Sequence, residues 1–180
     1  MTIPTIADYL KYADLQMAAE AFIRNPETGE LATGSDVIAL LKRGNNHSSK
    51  FTETQAQAFV NQWEVLDQEA NTDTGFSGTL FKNRDTKELI LSFRSTEFID
   101  DAIRDNASTN KLEINNTGFA WGQIRDMEAW YQSLSENGGP LEGKNFSVTG
   151  YSLGGHLATV FNSLHHEGGT HGSNDLSKND

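Results

Sequence analysis

Residues 146–158 read FSVTGYSLGGHLA, and the rest of the chain is best understood outward from them. Residues 146–149 have the apolar, β-branched content of a short strand, and residues 155–160 have the small side chains of a close-packed helix. Between them, Gly150-Tyr151-Ser152-Leu153-Gly154 matches the pattern G-x-S-x-G. Composition alone would place that pattern in about one chain in twenty of this length. The strand before it and the helix after it are what give it weight. A sharp strand-to-helix turn holds the serine in a strained backbone conformation and projects its Oγ above the sheet edge. Side chains two residues to either side would strike the adjoining strand and helix, so glycine fills both places, Gly150 and Gly154. The helix N-terminus turns its N–H groups and positive dipole end toward a developing oxyanion, and the Leu153 N–H is one such donor. Without chemistry, the same residues make a glycine-rich turn between strand and helix.

Upstream, residues 79–81 and 88–93 read as two strands. Asn83-Arg84-Asp85-Thr86 between them has turn chemistry, which predicts a hairpin. Residues 98–106 read as a short helix with Asp100 and Asp101 near its positive end. Residues 119–136 read as a longer one, with Phe119, Trp121, Ile124, Met127, Trp130, Tyr131 and Leu134 at helical spacing, stopped by Gly138-Gly139-Pro140. The first 70 residues read as helical. Ile6, Tyr9, Leu10, Ala13, Met17 and Phe22 recur near helical spacing over residues 5–24, and Asn25-Pro26 ends that helix. Gly34-Ser35 and Gly44 bracket a short second helix. Thr52-x-x-Gln55 has capping-box form and opens a third, with Ala56, Phe59, Val60, Trp63 and Leu66 on its apolar face. Residues 167–180 carry neither pattern and read as a disordered tail. From residue 77 the order strand, strand, helix, helix, strand, helix is that of an α/β domain.

At VTGYSLGGHLA, residues 148–158, the chain resembles the class 3 lipases, the fungal-lipase-like branch of the α/β hydrolases. A second segment, LILSFRSTEFIDDAIRDN at residues 89–106, is similar to that family's oxyanion strand and loop, where F-R-G-[ST] is usual and Phe93-Arg94-Ser95-Thr96 stands here. The resemblance covers residues 75–165. It implies an α/β-hydrolase-type, mostly parallel sheet with flanking helices over residues 1–166, truncated at the C-terminus. It implies a serine carboxylic-ester hydrolase, a triacylglycerol lipase or phospholipase, with Ser152 as nucleophile and Thr96 and Leu153 as oxyanion-hole donors. Asp105 would orient the loop, with Arg94 and Asp105 as a partly buried pair. Ser95 departs from the family's glycine. Thr96 read by itself is a helix N-cap, and both roles are compatible.

A serine hydroxyl needs a base to take its proton. In this fold the acid and then the histidine follow the serine on later strands, and 28 residues follow Ser152. His47 precedes the serine. His156 lies one turn into its helix, as a packing or capping residue. His165 and His166 fall about 20 Å along a continued helix, near its C-terminus. His171, with Glu167 as acid, sits in the tail without a strand between them. The expectation is therefore that the chain lacks the Asp and His of a triad. Tyr151 reads as a packing residue. The alternative is a non-catalytic hydrolase remnant or binding domain.

Composition narrows the partners. Twenty-five acidic against 14 basic residues give a net charge of −11, which disfavours phosphate backbones and anionic headgroups but not a neutral lipid or other ester substrate. There is no cysteine, so no disulfide and no thiolate metal site. HExxH, P-loop, dinucleotide and calcium-loop motifs are all absent, so no cofactor or metal is expected. No apolar run approaches membrane-spanning length. The N-terminus lacks the basic start and apolar core of a signal peptide, which leaves room for secretion as part of a longer protein.

Overall fold

The structure is a computed structural model and describes residues 5–45, 50–95 and 120–165. Three helices come first: α1 (Ile6–Ala19), α2 (Ser35–Arg43) and α3 (Glu53–Gln62). Strands β1 (Trp63–Glu69), β2 (Gly78–Asn83) and β3 (Leu89–Phe93) follow. Helix α4 (Trp121–Ser135), strand β4 (Ser147–Gly150) and helix α5 (Leu153–His165) complete the described elements.

The four strands form one sheet in the order β1-β2-β3-β4. β1 and β2, and β2 and β3, pair antiparallel; β3 and β4 pair parallel. The sheet is thus mixed and mostly antiparallel, which corrects the expectation of a mostly parallel one. Connection length explains it. β1, β2 and β3 are joined by short turns, which force reversal, whereas parallel pairing needs a long crossover, and only residues 94–146 between β3 and β4 provide one.

Strand alternation builds two cores, one on each face. Leu80, Leu89, Leu91 and Phe93 pack with Ile124, Met127 and Trp130 of α4 and Leu157, Val160 and Phe161 of α5. Phe81 and Ile90, on the opposite face, pack with Leu15, Ala18 and Ala19 of α1, Leu41 of α2, and Ala56 and Phe59 of α3. Helices on both faces of a sheet bury both sides of each central strand.

Three local readings are corrected. The capping box at Thr52 and Gln55 is present, but the helix stops at Gln62 and Trp63 and Leu66 lie in β1. Their spacing suits a helix equally well. In the strand, Trp63 and Val65 face the core beneath α1–α3 while Leu66 packs into the other core, and pairing with β2 decides the matter. Second, α1 ends with Glu20 as its cap rather than at Asn25-Pro26. The buried side chain of Gln68 takes the backbone that a longer helix would use: its Oε1 accepts from Ile23 N and Arg24 N, each at 2.7 Å, and its Nε2 donates to Ala21 O at 2.9 Å. Third, Ile6, Tyr9 and Leu10 of α1 face outward. The sheet-facing side is made of Leu15, Ala18 and Ala19, because small residues let a helix lie close to the strands. The hairpin after β2 forms as an Asx turn, with Asn83 Oδ1 accepting from Asp85 N and Thr86 N, both at 3.0 Å.

Candidate active site

The register carries one row straight across the sheet: Glu69 opposite Gly78, Gly78 opposite Phe93, Phe93 opposite Gly150. Tyr151 and Ser152 leave the sheet just beyond that row, and α5 begins at the next residue. Ser152 has φ +54°, a region that costs a residue bearing a Cβ roughly 1–2 kcal/mol. The other such non-glycine residue described is Lys87, in the hairpin turn. At Ser152 the flanking elements impose the strain. β4 is held by β3, and α5 is held by Leu157, Val160 and Phe161 in the core.

The two glycines are fixed by contact. A Cβ on Gly150 would lie 2.6 Å from Gly155 N and closer still to the Gly154 carbonyl. A Cβ on Gly154 would lie 2.8 Å from Arg94 O and closer still to Phe93 O. The strand end is therefore pressed against the first turn of α5, and that turn against the end of β3. Ser152 itself is exposed, and so is Tyr151 at 70%. This corrects the reading of Tyr151 as a packing residue: the turn lifts both side chains away from the core. Ser152 O accepts from His156 N at 3.1 Å. Leu153 is the first residue of α5, so its N–H belongs to the set that a helix cannot satisfy internally.

β3 leads out through Arg94 and Ser95. Arg94 is buried at 3%. Its backbone N–H donates to Ser77 O at 3.0 Å, its Nη2 donates to Asn71 Oδ1 at 2.6 Å, and its guanidinium lies 5.0 Å from the Phe22 ring centre. Thr96, Asp105, the 98–106 helix and the 167–180 tail lie outside the described residues, as do His47, His166 and His171.

Of the histidines described, His165 ends α5, and its Nε2 sits 2.9 Å from each carboxylate oxygen of Glu128 on α4. Its ring also packs on Tyr131 and Phe161, with centres 4.7 and 4.4 Å away. It ties α5 to α4, some 20 Å of helix beyond the serine. His156 is half-buried in the first turn of α5. Among the described residues no three or more His, Asp or Glu side chains gather as a metal site, and no helix is long and apolar enough to cross a membrane.

Two polar groups went unread in the sequence. At the far end of the same row, burial raises the Glu69 carboxyl above its ordinary value. Asp67 and Asp126 add to that rise and Arg24 offsets part of it. Three strand spacings of ~4.8 Å put this group about 14 Å from β4, too far to serve Ser152. The other group is Glu20. Only 8% exposed, it accepts from Ser95 N at 3.1 Å and Ser95 Oγ at 2.6 Å through Oε1, and from Asn45 Nδ2 at 3.0 Å through Oε2. The available signal was an acid set in the small apolar run Ala18-Ala19-Glu20-Ala21.

Comparisons with protein-family models, with curated proteins and with solved structures each find no match to this chain.

Proposed function

We propose that this chain carries the nucleophile of a serine carboxylic-ester hydrolase that acts on a lipid ester. The observation that carries the reading is Ser152: an exposed serine held at φ +54° between a parallel strand and a helix N-terminus. Strain of that kind persists where the surroundings enforce it, and it concentrates at functional sites. The likeness of residues 75–165 to the class 3 lipases, and with it an α/β-hydrolase architecture, supports the same reading.

In this mechanism Ser152 Oγ attacks the ester carbonyl while its proton passes to a solvent water, which returns it to the leaving alcohol. Leu153 N–H at the head of α5, with Thr96 N–H as the second donor that the resemblance to the class 3 lipases implies, receives the charge on the carbonyl oxygen. The tetrahedral adduct collapses, the C–O bond to the alcohol breaks, and the alcohol leaves with a proton. Water then attacks the acyl-serine, releasing the acid and restoring Ser152. Donors fixed in advance by the fold cost no reorganisation during the reaction. With His165 committed to Glu128, no base is assigned among the described residues. On the described residues alone, acceleration comes from the oxyanion donor at the head of α5.

The test is to expose the chain to a p-nitrophenyl ester of a medium-chain acid, quench in acid and weigh the protein. The reading predicts a single acyl adduct on Ser152, absent from Ser152→Ala. A folded chain with no acyl-Ser152 would favour the alternative, a hydrolase remnant that binds an apolar ligand without cleaving it.

A further inference from the structure

α1 places two polar side chains, one turn apart, on the elbow end of the sheet. Gln16 Nε2 donates to Ser92 Oγ at 3.0 Å and to Thr149 Oγ1 at 3.1 Å. Ser92 on β3 and Thr149 on β4 are register partners, so this one amide bridges the two parallel strands just before Gly150. Four residues later, Glu20 grips Ser95 by both its N–H and its hydroxyl. The backbone between these anchor points includes Phe93 O and Arg94 O, the atoms against which Gly154 is pressed. A carboxylate is expensive to bury unless hydrogen bonds replace its water. Here three donors do so, two of them from the residue that leaves β3.

We propose that α1 is a positioning element for the Ser152 elbow, and that Glu20 is its positioning residue. By holding Ser95, Glu20 fixes the exit of β3 that forms the wall behind the first turn of α5. This gives Ser95 a reason to be serine: its hydroxyl is the second half of the grip. The proposal rests on the reading of Ser152 as the acyl acceptor. Glu20 touches neither substrate nor Ser152 and acts through the backbone at residues 93–95.

The test compares Glu20→Gln and Ser95→Gly with Lys11→Met in the full chain. Lys11 binds Glu88 at 2.9 Å, on the same helix and at the opposite end of β3, so its loss weakens α1 without touching the elbow. The first readout is the rate of Ser152 acylation by a p-nitrophenyl ester. The second is the amide NMR shifts of Leu153 and Gly154. Small misplacements of a catalytic frame cost large factors in rate, so Glu20→Gln is expected to slow acylation about tenfold and Ser95→Gly about threefold. Lys11→Met should stay within about twofold. Glu20→Gln should also cost less in the Ser95→Gly background than alone, since the two act through one contact. The Leu153 and Gly154 amides should move in Glu20→Gln and not in Lys11→Met.

Equal slowing by Lys11→Met and Glu20→Gln, or wild-type acylation by a folded Glu20→Gln, overturns the proposal. If Glu20→Gln does not fold, Ser95→Gly decides: unchanged acylation refutes the grip. If wild-type Ser152 takes no acyl group, the hydrolase reading fails. The amide shifts then decide the clamp alone: movement in Glu20→Gln supports it, and unmoved amides overturn it.

Discussion

Gly150→Ala probes the packing that creates the elbow. The added methyl would sit 2.6 Å from Gly155 N, where real side chains stay beyond 3.0 Å. The first turn of α5 must therefore retreat by at least 0.4 Å, and by more to clear the nearer Gly154 carbonyl. That turn cannot yield freely. Gly154 is already against Phe93 O, and Leu157, Val160 and Phe161 fix the rest of the helix in the core. Overpacking against backbone belongs at the upper end of its usual range, about 3 kcal/mol. For a chain of this size that lowers the melting temperature by about 6–12 °C. Gly155→Ala is the matched control. Its methyl would come no closer than 3.2 Å to Gly150 O, and helix propensity favours alanine by up to about 1 kcal/mol, so its stability should stay near wild type. Urea denaturation with a shared m-value measures both. A Gly150→Ala protein as stable as wild type, or a Gly155→Ala protein equally damaged, would refute the close approach inferred here.

Three further outcomes are expected. Gln68→Leu strips the partners from Ile23 N, Arg24 N, Ala21 O and Thr79 Oγ1, and should cost about 3 kcal/mol through buried groups left unmatched; a loss under about 1 kcal/mol in urea would contradict it. Glu69→Gln should be stabilising at pH 7. Its carboxyl is raised in the fold, by burial first and then by Asp67 and Asp126, so the native state favours the protonated form. The stability this provides is complete below the ordinary value of 4.5 and fades as pH rises through the folded value. The gain from Glu69→Gln over wild type should therefore shrink as pH falls toward 4, and a variant less stable than wild type at pH 7 would reverse the sign. Glu128→Gln should weaken the α4–α5 tie by about 1–2 kcal/mol and leave the pH profile of Ser152 acylation unchanged; a shifted profile would make His165 part of the chemistry.

The elbow was legible because close approach leaves little choice of residue: where two backbones meet, only glycine fits, and Gly150 and Gly154 stand where they do for that reason. The hairpin was legible because Asn83 carries its own turn in its side chain. β1 was not, because Phe59, Trp63 and Leu66 fit a helical stripe while the partner that makes them a strand lies on β2. The face of α1 differs from the apolar stripe because its inward side combines Leu15 with alanines and Gln16, while Ile6, Tyr9 and Leu10 point to solvent. The contact of Glu20 was not legible because its partner Ser95 is 75 positions away. The antiparallel bias of the sheet is implicit in the short connections of residues 63–93, once Trp63–Glu69 pairs as a strand.

The account rests on Ser152 being unlike the other serines of the chain. Treating the folded protein with a fluorophosphonate and mapping adducts residue by residue tests this directly. Prearranged oxyanion donors are worth about 10²-fold or more, so Ser152 should be modified at least about a hundredfold faster than any other serine, with the preference lost on unfolding. Modification of Ser152 at the rate of exposed serines elsewhere would contradict the account.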